Sequence, residues 1–133
     1  MMRLLIDTHI FLWIFDSNGK LTKQQISVLE SAETEIFVSH YTIMEIAIKL
    51  TIGKLPSSNL NMSDFFEQAA IKSINILPSK DEYAVTYLQV PLFENHRDPF
   101  DRFIIATAKT EGLSIMTNDE KFNLYEGFVH LWQ

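Results

Sequence analysis

The sequence predicts an α/β domain: a three-layer α/β/α sandwich around a mostly parallel sheet of four to five strands. Three observations predict it. Short apolar runs alternate with longer helical patterns, as they do where helical crossovers join parallel strands. The apolar runs are continuous, which suits strands covered on both faces. The four Gly and four Pro are scattered, and no repeat, low-complexity tract or linker divides the 133 residues, so they are read as one domain.

Arg3 to Ile6 is the first strand, placed centrally because it is short and apolar. Asp7-Thr8 opens a helix through Phe15, stopped by the turn residues Asp16-Ser17-Asn18-Gly19. Thr22 caps a second helix, Lys23 to Ala32, with Ile26 and Leu29 inward. Ile36-Phe37-Val38 is the second strand. His40 to Ile52 is a helix closed by Gly53. A loop covers Pro56 to Asn61. Ser63 caps a helix through Lys72, with Phe66, Ala69 and Ala70 at core spacing. Ile74 to Leu77 is the third strand, and Ser79 caps a helix from Lys80 to about Leu88. Val90 to Arg97 is irregular. Asp98-Pro99 opens a long helix through Lys109, ended by Gly112. Leu113 to Met116 is the fourth strand, Asp119 to Leu124 a short helical turn, and Phe128 to Leu131 a fifth, edge strand.

Composition narrows the function classes. Lys and Arg number 11 and Asp and Glu 17, a net charge of −6, so no global basic field steers the chain onto nucleic acid. Any such contact is local or arranged by metal ions. Cys is absent, which excludes disulfides, zinc thiolate sites and thiol catalysis. Asp7 interrupts the N-terminal apolar run before it reaches the length of a secretory segment, and no run nears the ~20 apolar residues of a membrane span. The expectation is a soluble cytoplasmic protein. There is no glycine-rich phosphate loop and no Gly-x-Ser-x-Gly elbow.

Acidic residues are the chemistry-bearing feature. Asp7 follows the first strand and Asp119 the fourth, at the carboxyl ends where open parallel sheets bind ligands. Each is also a reasonable helix cap or turn residue. Glu45 lies within the apolar run Ile43-Met44-Glu45-Ile46-Ala47-Ile48. Lys49 at i+4 offers it a surface salt bridge, but its neighbours imply a buried carboxylate that needs a cation or donors. Asp98 and Asp101 frame a helix start, with Asp98 the better cap and Asp101 leading into Phe103-Ile104-Ile105-Ala106. Carboxylates at element ends, without thiols or clustered histidines, suit a hard cation such as Mg²⁺ or Mn²⁺. His9, His40, His96 and His130 show no metal-ligand spacing; all four read first as surface or internally satisfied histidines, with His9 and His96 the candidates for a supporting role.

The chain resembles a PIN-domain ribonuclease, and more narrowly the toxin of a VapBC-type toxin–antitoxin pair. The resemblance spans essentially the whole sequence. It rests on Leu4-Leu5-Ile6-Asp7-Thr8-His9, Met44-Glu45-Ile46-Ala47-Ile48-Lys49, Gly53-Lys54-Leu55, His96-Arg97-Asp98-Pro99-Phe100-Asp101-Arg102, and Thr117-Asn118-Asp119 with Phe122. Met44 departs from the Trp usual before that Glu. The resemblance implies a catalytic and metal-holding quartet of Asp7, Glu45, Asp101 and Asp119, with Asp98, Thr117 and Asn118 auxiliary. It implies Lys49, Lys54, Arg97 and Arg102 as phosphate contacts, Mg²⁺ or Mn²⁺ as cofactor, RNA as substrate, a cognate antitoxin partner and a homodimer. Two other readings stand beside it: a PIN-like RNA-processing nuclease that is not a toxin, and a non-catalytic acidic α/β binding module.

Overall fold

The computed structural model describes residues 1–16, 19–55 and 61–133; Ser17 and Asn18 of the expected turn and Pro56 to Leu60 of the expected loop lie outside the described residues. Four parallel strands form one sheet: β1 (Met2–Ile6), β2 (Thr34–Ser39), β3 (Ile74–Leu77) and β4 (Ser114–Met116), in the order β3-β2-β1-β4. β1 is central, with Leu5 opposite Phe37 on β2 and Ile115 on β4. The fifth strand does not form. Phe128 and Val129 both donate their N–H groups to Tyr125 O, a turn that leaves only a single parallel bridge between Leu131 and Ile115.

Side chains alternate across the sheet and divide the core in two. Leu4, Ile6, Ile36 and Val38 pack on one face with Ile10, Phe11, Ile43, Ile46, Phe65 and Ala69. Leu5, Phe37 and Ile115 pack on the other with Ile104, Ile105, Ala108, Phe122 and Tyr125. These residues assign α1 (Thr8–Ile14), α3 (His40–Thr51) and α4 (Met62–Ile71) to the first face and α6 (Pro99–Glu111) to the second. Each fully buried Leu, Ile or Phe contributes about 1.5–3 kcal/mol, so β1 and its two covers dominate the stability.

Helix ends follow local chemistry. Thr22 and Gln25 form a reciprocal capping box at the start of α2 (Lys23–Glu30). Asn61, not Ser63, caps α4, because Asn61 and Asp64 satisfy each other's backbone N–H groups. That start turns Phe65 and Ala69 inward and leaves Phe66 exposed, a rotation of one residue from the expected face. In α2, Ile26 is exposed while Val28 and Leu29 pack, because Gln25 takes the buried position. Ser79 does not cap α5 (Asp81–Tyr87); its hydroxyl hydrogen-bonds the Tyr41 hydroxyl at 2.9 Å. Gly112, at φ +68°, ends α6 in the left-handed region, where a side chain would be strained. Among the described residues, no helix is long and apolar enough to cross a membrane.

Candidate active site

The register of β1 with its neighbours brings the candidate groups together. Ile6 pairs with Val38 and Met116, so Asp7, Ser39 and Thr117 emerge side by side at the carboxyl ends. Asp7 N donates to Met116 O at 3.1 Å. The Asp7 side chain is buried and divided in function. Oδ1 accepts from Ile10 N at 2.9 Å, capping α1, and Oδ2 accepts from the Thr117 hydroxyl at 2.5 Å. The cap thus uses one oxygen of Asp7 and the Thr117 hydroxyl the other.

Glu45 lies on the buried face of α3, with Thr42, Ile43 and Ile46. Oε1 accepts from the Thr8 hydroxyl at 2.7 Å, and that hydroxyl also meets Thr42 Oγ1 at 3.0 Å. Oε2 pairs with Lys49 at 3.2 Å. The i+4 salt bridge therefore exists, but on a carboxylate that is 9 % exposed and hydrogen-bonded to the residue after Asp7.

Asp101 and Asp119 close the site. Together with His96, which is buried, they place one possible ligand atom each within 4.8 Å of one another. His96 Nε2 lies 2.9 Å from Asp101 Oδ2, and Nδ1 lies 2.7 Å from the Tyr125 hydroxyl. Asp119 Oδ1 accepts from Lys121 N, starting the 3₁₀ turn Glu120–Tyr125, and Asp119 N donates to the Thr117 hydroxyl oxygen.

Burial is the main electrostatic cost. It raises the Asp7 carboxyl, against the opposing hydrogen bonds from Thr117 and Ile10 N, with the Asp119 charge adding to the rise. It also lifts Asp101 to about 6; the His96 hydrogen bond opposes this, and the Asp98 and Glu45 charges reinforce it. Crowding of like charge is thus real but second to desolvation. A cation would relieve both. The carboxylate oxygens are hard donors that fit Mg²⁺ or Mn²⁺, and an oxygen of Asp101 and one of Asp119 lie within 4.8 Å, close enough to address one ion.

Other sequence candidates fall outside the centre. Asp98 is exposed and caps α6, Oδ1 accepting from Phe100 N and Asp101 N. Asn118 is held sideways by Gln25, whose Nε2 donates to Asn118 Oδ1 at 2.8 Å. Arg102, read from the sequence as a phosphate contact, is instead buried. Its guanidinium donates to Pro91 O and Val90 O and lies 5.0 Å over the Tyr87 ring, so its charge is spent inside the fold. Lys54 and Arg97 are exposed and Lys49 is partly so. Sequence reading underrated His96. Its one visible signal was its place five residues before Asp101, and Tyr125, its other partner, is 29 residues away. A cavity of about 730 Å³, lined by Trp13, Leu29, Ile36, Lys72 and Ile74 among others, lies toward the amino ends of β2 and β3 and contains none of the acidic quartet.

The PIN domain family model matches residues 4–127. The chain belongs to the PIN domain family. Members of that family are nucleases. Its fold is shared with VapBC2 from Rickettsia felis bound to a promoter DNA fragment, at TM-score 0.69 and 15 % identity, covering 97 % of each chain. VapBC-1 from nontypeable Haemophilus influenzae is similar at TM-score 0.66 and 16 % identity, covering 99 % of this chain and 98 % of that one. A toxin–antitoxin complex from Klebsiella pneumoniae is similar at TM-score 0.62 and 20 % identity over 98 % of both chains. No curated protein matches the sequence significantly. This PIN domain thus carries Asp7 and Asp119 after the carboxyl ends of β1 and β4 in a four-stranded parallel sheet.

Proposed function

We propose that this PIN domain is a Mg²⁺- or Mn²⁺-dependent endoribonuclease acting as the toxin of a toxin–antitoxin pair. The observation that carries the catalytic half is the approach of Asp101 and Asp119 within 4.8 Å, with the Glu45 charge felt at Asp101 and the Asp119 charge felt at buried Asp7, four acidic residues from separate stretches of the chain. The toxin half is supported by the fold shared with the VapBC and toxin–antitoxin structures.

In this reading Asp7, Glu45, Asp101 and Asp119 hold the ion. The bound ion supplies a water of lowered pKa and stabilises charge on the attacked phosphorus. Thr117 and Thr8 orient the Asp7 and Glu45 carboxylates through their hydroxyls. Lys49, Lys54 and Arg97 meet the flanking phosphates, which allows a short single strand to enter despite the net charge of −6. Lys49, paired with Glu45 at 3.2 Å and partly exposed, would meet a phosphate from the rim of the site. The partners are a cognate antitoxin, whose cationic side chains would complement the acidic pocket, and a second copy of the chain. The cytosol is the compartment proposed.

Purified, partner-free protein incubated with RNA in EDTA, Mg²⁺ or Mn²⁺ tests the catalytic half. Cleavage is expected only with metal, leaving a 5′-phosphate and a 3′-hydroxyl, as attack by water with loss of the 3′-oxygen requires. Asp7→Asn keeps the shape, removes a charge the ion needs and should abolish cleavage; Glu67→Gln, at an exposed position on α4, should leave it unchanged. Cleavage that persists in EDTA, or a cyclic phosphate product, refutes the metal mechanism. Expression alone and with the product of an adjacent short reading frame tests the toxin half: arrest of growth that the neighbour relieves supports it, and harmless expression of active enzyme favours the RNA-processing reading.

A further inference from the structure

We propose that His96 and Tyr125 form a positioning pair for Asp101: His96 Nε2–H holds the carboxylate in the orientation that meets the ion, and the Tyr125 hydroxyl locks the ring. This rests on the metal-dependent reading above and adds two residues to it.

The geometry is specific. His96 is 4 % exposed, with its ring centroid 5.8 Å from Phe122 and 5.3 Å from Tyr125. Both nitrogens are engaged, Nε2 with Asp101 Oδ2 at 2.9 Å and Nδ1 with Tyr125 Oη at 2.7 Å. An ionised carboxylate can only accept, so the hydrogen on the Asp101 side sits on Nε2. On a singly protonated ring Nδ1 then accepts from the Tyr125 O–H at 2.7 Å, and the same hydroxyl lies 3.3 Å from a second acceptor, His96 O. The Asp101 Oδ2 position is thereby set, while Oδ1 takes no hydrogen bond among the described residues and is left for another partner. His96 is therefore a support for a ligand and not a ligand itself.

The pair also joins two parts of the site. Tyr125 ends the 3₁₀ turn that Asp119 begins, and Asp101 sits in the first turn of α6. The relay Tyr125–His96–Asp101 fixes the distance between those elements, and so between two of the acidic residues. It has a consequence for metal choice. An exposed imidazole nitrogen would draw softer ions, whereas a protonated Nε2 committed to Asp101 leaves an all-oxygen site for hard cations. Hydrogen-bond partners of metal ligands typically govern about 10–100-fold in metal affinity.

Nitrogen-15 NMR of the His96 ring in the metal-free protein at pH 7.5 reads the hydrogen directly. A protonated Nε2 is expected, and a bare Nε2 overturns the proposal. Calorimetric titration with Mn²⁺ reads the effect. His96→Leu should weaken binding by about 10–100-fold, Tyr125→Phe by a smaller factor, and His96→Gln, whose amide N–H can reach Asp101, should recover most of the loss. Unchanged Mn²⁺ affinity in His96→Leu overturns the proposal; if that variant does not fold, unchanged affinity in Tyr125→Phe does so. Pulsed electron paramagnetic resonance of the Mn²⁺ form adds a separate criterion, since a nitrogen coupling that His96→Gln abolishes would make His96 a ligand. None of these readouts uses RNA. Protein that binds Mn²⁺ as described but leaves RNA intact would refute the nuclease reading alone, and protein that binds no Mn²⁺ would refute both.

Discussion

The Thr117 hydroxyl donates to Asp7 Oδ2 across 110 residues of sequence, and its oxygen accepts from Asp119 N. One small side chain thus ties together the ends of β1 and β4 and two candidate metal-holding carboxylates. Thr117→Val keeps the volume and deletes both bonds. It should lower Mn²⁺ affinity about 10–100-fold and destabilise the fold by about 1–3 kcal/mol through the unpaired buried oxygen. Thr117→Ser should remain near wild type. Calorimetric titration and urea unfolding of the two variants check this.

Asp101 gives a pH-dependent stability with a definite sign. Burial, reinforced by the Asp98 and Glu45 charges, raises its carboxyl from 3.8 to about 6, so the folded chain binds that proton more tightly than the unfolded chain. Metal-free stability is therefore favoured at low pH by this group and declines as pH rises from 3.8 to about 6. Asp7 contributes in the same direction. Asp101→Asn should stabilise the metal-free protein at pH 7.5 by about 1–3 kcal/mol, a gain that shrinks toward pH 4. Thermal melts across that range, with chelator present, should show the convergence.

Glu111 shows the opposite sign. The Tyr83 hydroxyl and the Lys80 ammonium donate to it at 2.7 and 2.9 Å and hold its carboxyl below its usual 4.5. Its contribution is present above pH 4.5 and is lost as pH falls through the depressed value. Glu111→Gln should cost about 1–2 kcal/mol at pH 7 and little in strong acid, with nuclease activity per folded molecule unchanged.

Arg102 is expected to act on stability and not on substrate. Its guanidinium satisfies two carbonyls of the segment before His96 and covers the Tyr87 ring. Arg102→Met should destabilise by about 2–4 kcal/mol, and Arg102→Lys should rescue little, because an ammonium lacks the fork that reaches both carbonyls. If the variant instead folds normally and loses only RNA affinity, the buried position is not the one that matters.

The sequence by itself determined the α/β class, the central place of Leu4-Leu5-Ile6 and the positions of Asp7 and Asp119 after two parallel strands. It could do so because continuous apolar runs, helix caps and acidic residues at run ends are local signals, each readable within a few residues. The lost fifth strand and the rotated face of α4 mark where that reading stopped. In both, backbone N–H groups found other partners, Tyr125 O in one and Asp64 in the other. Only the tertiary structure decided how the site's side chains are used. Arg102 and Arg97 are both cations in one run of sequence, yet one is buried on carbonyls and the other exposed. His96 looks like any histidine until Tyr125 and Asp101 take its two nitrogens. Those assignments depend on distances between elements far apart in the chain, and hydrogen bonds act only at about 3 Å, so no local pattern encodes them.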